Sequence, residues 1–153
     1  MAAGPRAELE AALTYFAIAA PKHTADEEES LLPRLRTAGD SARVQALDRL
    51  DRLQQDHDEA CRHHAAVDLL GRRWLETGGL TPAEAGALRA HLATLQAIYT
   101  EHIDIEDREL FPAAARLLSS GQLVEVGLEM AARRKGGSKT ASHAGPRSPI
   151  LRS

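Results

Sequence analysis

Apolar and polar positions alternate with a helical period along most of the chain, and they divide it into long segments. The first runs from about residue 7 to 37, where "TAGDS" interrupts it: Gly39 can close a helix, and Asp40 or Ser41 can cap the next. Pro21 and Pro33 fall inside this segment, so a kink or break is expected at each. The second segment, about 42–77, places Leu50, Leu53, His57, Cys61, His64, Val67 and Trp74 mostly at steps of three and four, the stripe of an amphipathic helix. Gly78-Gly79 stops it. The third opens on "TPAE", in which Thr81 caps, Pro82 occupies the first turn and Glu84 reaches back. It continues to about 117 through Leu88, Leu92, Leu95, Tyr99, His102, Glu106 and Leu110, and Ser119-Ser120-Gly121 ends it. A shorter helix, "QLVEVGLEMAARR", follows and is expected to pack on an end.

This pattern predicts an all-α protein. The composition agrees, since aromatic residues are 3% of the chain and strands favour aromatic and β-branched side chains. The length of 153 residues suits one domain. The apolar run "AALTYFAIAA" is too short to span a bilayer. Glu8 and Glu10 stand where a secretory leader carries positive charge, so the run reads as part of the fold.

Charge adds an asymmetry. The net charge is −3, yet residues 133–153 hold six Lys/Arg and no acid, leaving −9 on residues 1–132. The division expected is a helical bundle at 1–132 and a basic disordered tail at 133–153. Without aromatic platforms the tail gives no specific nucleic-acid site, and nothing in the sequence asks for a membrane. The single cysteine, Cys61, excludes an internal disulfide and fits a cytoplasmic location.

One motif is written twice. "KHTADEEESLLPRL" at 22–35 returns as "EHIDIEDRELFPAA" at 101–114, with His23, Glu27, Leu31, Leu32 and Pro33 matched by His102, Glu106, Leu110, Phe111 and Pro112, each shifted by 79. Residues four apart share a helix face. A lone His-x3-Glu is an ordinary surface ion pair, but the second copy repeats the downstream Leu-(Leu/Phe)-Pro as well. Both histidines lie in register with the apolar stripe, where an unpaired imidazole or carboxylate is costly to bury. Two such pairs facing each other, with His57 as a fifth donor, make an imidazole and carboxylate set suited to iron or manganese, with zinc as an alternative.

These motifs resemble those of the hemerythrin-like, or HHE cation-binding, family over about residues 7–117. The family's pattern is a lone His, then His-x3-Glu followed by Leu-Phe-Pro, then a second lone His and a second pair. The resemblance implies an antiparallel up-down four-helix bundle holding two non-haem irons. Their ligands here would be His23, Glu27, His57, His102 and Glu106, and the family's first helix with its lone His has no counterpart before residue 7. It also implies binding or sensing of O2, NO or iron. A three-helix remainder leaves a groove open to a second copy of the chain.

Two rival readings remain at this point: a diiron peroxidase or oxidase, and a metal-free helical interaction module. Around the five residues, His64 reads as a further ligand or an outer partner of the metal. Cys61 reads as a small buried thiol or as a ligand. Tyr99 reads as packing or as a hydrogen-bond donor to a bound ligand. His91, eleven residues before His102, lies about 16 Å away along the helix and cannot share its metal. His63 falls off the stripe and is expected in solvent, as are Asp26, Glu28, Glu29, Asp107 and Glu109.

Overall fold

The fold was analysed in a computed structural model, which describes residues 4–38 and 42–136, without the side chains of 42–48. Every regular element among the described residues is helical. In chain order these are α1 (Pro5–Ala25), α2 (Leu32–Thr37), α3 (Ala42–Thr77), α4 (Pro82–Ile105), α5 (Phe111–Leu117) and α6 (Ser120–Lys135). No helix among them is long and apolar enough to cross a membrane. The proposed caps at Gly39, Asp40 and Ser41, and the tail from residue 137, lie outside the described residues.

The repeated motif produces a repeated backbone irregularity. α1 passes into α2 through a π-helical stretch, Asp26–Leu31, and α4 passes into α5 through another, Glu106–Leu110. In each, the amide closing the wide turn reaches back five residues: Leu32 N–H to the Glu27 carbonyl and Phe111 N–H to the Glu106 carbonyl. Pro33 and Pro112 follow one residue later. Proline has no N–H to donate, and its ring clashes with the carbonyl four residues back; widening the preceding turn accommodates both. Pro33 thus leaves the helical course uninterrupted, and Pro21 sits within α1.

Two sequence signals act as expected. Thr81 accepts from the Glu84 amide while the Glu84 carboxylate accepts from the Thr81 amide, and Ser119 with Gln122 repeats that box at the start of α6. α3 ends at Gly78, whose φ of 76° is the left-handed conformation that favours glycine.

Residues 49, 52, 63 and 73 of α3 meet residues 109, 101, 91 and 84 of the chain segment that begins with α4. Phe16, Glu28 and Arg36 likewise meet His64, His57 and Asp51. α1 and α3 approach closely at Gly71, where an added Cβ would lie 2.8 Å from Leu13 Cδ1.

The apolar interior is in two parts. One gathers Leu31, Leu32, Leu35, Leu50, Leu53, Ile105, Leu110, Ala114 and Leu118. The other gathers Leu13, Ala60, Val67, Leu88 and Leu95. Between them along α1, α3 and α4 fall His23, His57 and His102.

Several single positions differ from the expected stripes. Cys61 is exposed, because the buried line on α3 runs through Leu53, His57, Ala60, Val67 and Gly71, and the next residue after Ala60 turns about 100° away. Trp74 and Leu92 also face solvent. The boundary expected at 133 falls inside α6, so Arg133, Arg134 and Lys135 are helical. That helix docks on the first π stretch. Arg133 and Arg134 both donate to Asp26, Arg133 also reaches Glu29 and Ser30, and Arg34 pairs with Glu125 and Glu129. Asp26 is only 2% exposed and is no part of a solvated face.

Candidate metal centre

His23 and Glu27 stand one turn apart at the junction of α1 with its π stretch, and His102 and Glu106 stand in the same relation on α4. The folded chain brings the two pairs together: each of the four offers a ligand atom within 4.8 Å of all the others. His57 completes the group from α3, with its Nε2 3.0 Å from Glu27 Oε2 and 3.1 Å from His102 Nε2. His102 Nε2 is 2.9 Å from Glu106 Oε1, and His23 Nε2 is 3.2 Å from Glu27 Oε1 and 3.7 Å from Glu106 Oε1. Donors at right angles on an ion with bonds of about 2.1 Å lie about 3 Å apart, which is the spacing found.

Burial makes the group unusual. Glu27, His102 and Glu106 are 2%, 2% and 4% exposed. Both oxygens of Glu27, Oε1 of Glu106 and Nδ1 of His102 have no hydrogen-bond partner of acceptable geometry despite being buried. Such atoms carry an uncompensated desolvation penalty, and a cation removes it. The donor set therefore fits a metal ion.

Electrostatics of the metal-free group point the same way. Burial works against the Glu27 carboxylate, but the imidazoles of His102 and His57 beside it prevail and hold it far below the ordinary carboxylate range. Burial also works against a charged His102, yet Glu106 and Glu27 push its pKa up to about 10. His57 is raised by Glu27 and Glu28 against its burial. Glu106 is itself raised, by burial and by the neighbouring Glu27 charge, against the pull of His102. One carboxylate is thus held in its charged form, and the other is shifted the opposite way. The proton held by His102 stands where a cation would.

Behind the donors stand two carboxylates: Glu28, expected in solvent, and Asp56, not singled out in the sequence. Glu28 Oε1 is 2.9 Å from His57 Nδ1, and Asp56 Oδ2 is 3.5 Å from His102 Nδ1. Glu28, taking the Nδ1–H of His57, turns that ring's Nε2 lone pair towards a metal and raises its basicity, whereas Asp56 is a charged neighbour of His102 without a hydrogen bond to it. The only sequence signal was helical phase: Glu28 adjoins Glu27, and Asp56 adjoins His57.

The outlying candidates lie apart from this group. His64 Nε2 is 2.6 Å from the Tyr99 hydroxyl, and the His64 ring packs on Phe16. Burial lowers His64 and raises Tyr99, so both shifts favour the neutral forms of the two groups in this hydrogen bond. A cleft of about 630 Å3 runs between α1 and α4, lined by Phe16, Ile18, Tyr99 and Ile103 among others, and reaches His23 and His102. His23 is the ligand candidate that faces out, with half of its side chain exposed.

A set of helices carrying a buried histidine and carboxylate cradle between two apolar cores defines a cation-binding helical protein. Comparison with known families gives the same class: residues 1–114 match the hemerythrin HHE cation binding domain. The chain belongs to that family. Neither the curated proteins nor the solved structures give a match.

Proposed function

We propose that the cluster binds non-haem iron, two ions when fully loaded, and that the protein binds or senses O2, NO or iron itself. The single observation that carries this reading is the buried, partnerless carboxylate oxygens of Glu27 and Glu106 facing three imidazoles beside an open cleft. Mixed nitrogen and oxygen ligation suits iron or manganese, with zinc as the alternative. Bound iron would supply the redox change and the open coordination position that a diatomic ligand needs. The chain's own residues bury Glu27, His57, His102 and Glu106, orient His57 through Glu28, and leave a largely apolar approach through the cleft.

We also read the architecture as the up-down antiparallel bundle of the family. The opposed order of the residue pairs between α1, α3 and α4 supports it. The side between α1 and α4 carries the cleft, and a second copy of the chain would be its cover. The lone free thiol supports a cytoplasmic setting.

A second reading, oxidation or peroxide reduction by the same centre, draws on the cleft, whose volume falls in the range of small-molecule sites. The test is anaerobic loading with Fe(II), a count of iron per chain, and a visible spectrum as O2 is admitted. A new band that fades on deoxygenation is expected for a carrier or sensor. Sustained peroxide consumption with an electron donor would favour the enzyme. A chain that retains no iron would sink both.

A further inference from the structure

We infer a second, outer metal site between α3 and α4, formed by His63 and His91. His63 does not point into solvent: its Nδ1 lies 2.9 Å from Nδ1 of His91, and both side chains are partly buried. The neighbouring His64 turns about 100° away, towards Tyr99 and Phe16, so the two adjacent histidines serve different faces.

The pair reproduces the geometry of the candidate centre. His57 and His102 hold their nitrogens 3.1 Å apart with ring centroids at 4.7 Å and planes at 50°. His63 and His91 hold theirs 2.9 Å apart with centroids at 5.1 Å and planes at 60°. The same two helices thus present two imidazole pairs, each with nitrogens at the spacing of adjacent donors on one ion, about 3 Å for bonds of about 2.1 Å. The Glu59 carboxylate lies 3.9 Å from His63 Nε2, beyond hydrogen-bond distance, on the side of the ring away from the Nδ1 that faces His91.

An ion held here is not shared with the buried cluster. His63 is six residues beyond His57 on α3 and His91 eleven before His102 on α4, rises of about 9 and 16 Å. The donor sets also differ in kind. Two imidazoles with water completing the shell, and no carboxylate ligand, favour Ni2+, Cu2+ or Zn2+ over Fe2+ or Mn2+. The two sites would therefore sort metals, with the outer one open to exchange with solvent. The rival explanation is a plain N–H···N hydrogen bond between two neutral rings, which has the same separation and binds nothing.

The experiment is calorimetric titration of the untagged full chain with Ni2+, comparing wild type with His63→Ala, His91→Gln and the inner-cluster variant Glu106→Gln. Expected is a class of Ni2+ sites that weakens at least about tenfold in either outer variant and persists in Glu106→Gln. The same class should raise the melting temperature of the wild type and not that of His91→Gln. Equal Ni2+ binding in wild type and both outer variants would overturn the site, as would a class lost only in Glu106→Gln. Circular dichroism excludes misfolding as the cause of a loss, and the milder His91→Gln serves if His63→Ala unfolds. The outcome is independent of whether the inner cluster takes iron.

Discussion

His57 and His102, 45 residues apart in the chain, bring their Nε2 atoms to 3.1 Å, and each has a carboxylate behind its Nδ1. Two imidazoles held this way repel one another when both are charged. The carboxylates of Glu27 and Glu106 offset that repulsion in the metal-free protein, and a metal ion would replace the protons altogether.

Metal loading should therefore release protons. With its pKa pushed up to about 10, His102 is largely protonated at neutral pH, and His57 is shifted in the same direction. At least about one proton per chain should leave at pH 7 as metal enters, and affinity should climb with pH up to about 10. The sign for the metal-free fold is opposite. A raised histidine contributes stability that is full below its unfolded value of 6.5 and is lost as pH rises through about 10. Calorimetry in buffers of different ionisation enthalpy counts the protons; a count of zero would contradict this arrangement.

The two glutamates should behave differently when neutralised. Glu27→Gln removes the carboxylate that faces both His57 and His102, and should cost the metal-free protein about 3 kcal/mol. Glu106 supports His102 but not His57 and is itself raised by burial, so Glu106→Gln should change metal-free stability less. Both should lose metal. Thermal melts with and without metal separate the cases, and equal destabilisation by the two substitutions would count against the asymmetry.

Glu28→Gln removes the carboxylate that orients His57, and Asp56→Asn the charge beside His102, without touching a ligand atom. Glu28→Gln should weaken metal binding by about 10- to 100-fold and Asp56→Asn by less, the number of ions bound staying unchanged. Competition with a chelator measures the change. Unaltered affinity would make these contacts incidental.

The docking of α6 should depend on buried charge. Asp26 is held by Arg133 and Arg134, so Arg133→Ala, by withdrawing one of its hydrogen bonds, should destabilise the chain by about 1–3 kcal/mol. Glu129, held down to about 2 by its bonds to Arg34 and Ser30, adds a pH dependence. Its contribution is present above about 4.5, its ordinary value, and is lost as pH falls towards 2. Hydrogen exchange along α6 should rise across that window before the rest of the fold opens.

How much of this was legible follows from range. Helix boundaries at Thr81 and Gly78 depend on residues within one turn, and the periodic pattern displayed them. The duplicated His-x3-Glu-x3-Leu-(Leu/Phe)-Pro carried more: its proline implied a backbone adjustment, and both copies make the same π-helical one. A four-residue spacing also sufficed to put each His and Glu on one face. Phase was less secure. One step of helix, about 100°, separates buried Ala60 from exposed Cys61, and the apolar pattern alone did not resolve it.

What the sequence determined by itself was local: the helices, their caps, and a His/Glu pair presented twice. Only the tertiary structure decided which polar groups meet. Asp26 became buried because α6 lays two arginines over it, Glu28 and Asp56 came to stand behind histidines on neighbouring helices, and His63 found His91 instead of solvent. Those outcomes depend on the offset and rotation of one helix against another. No spacing along a single helix encodes them, because the packing of side chains from several segments sets them together.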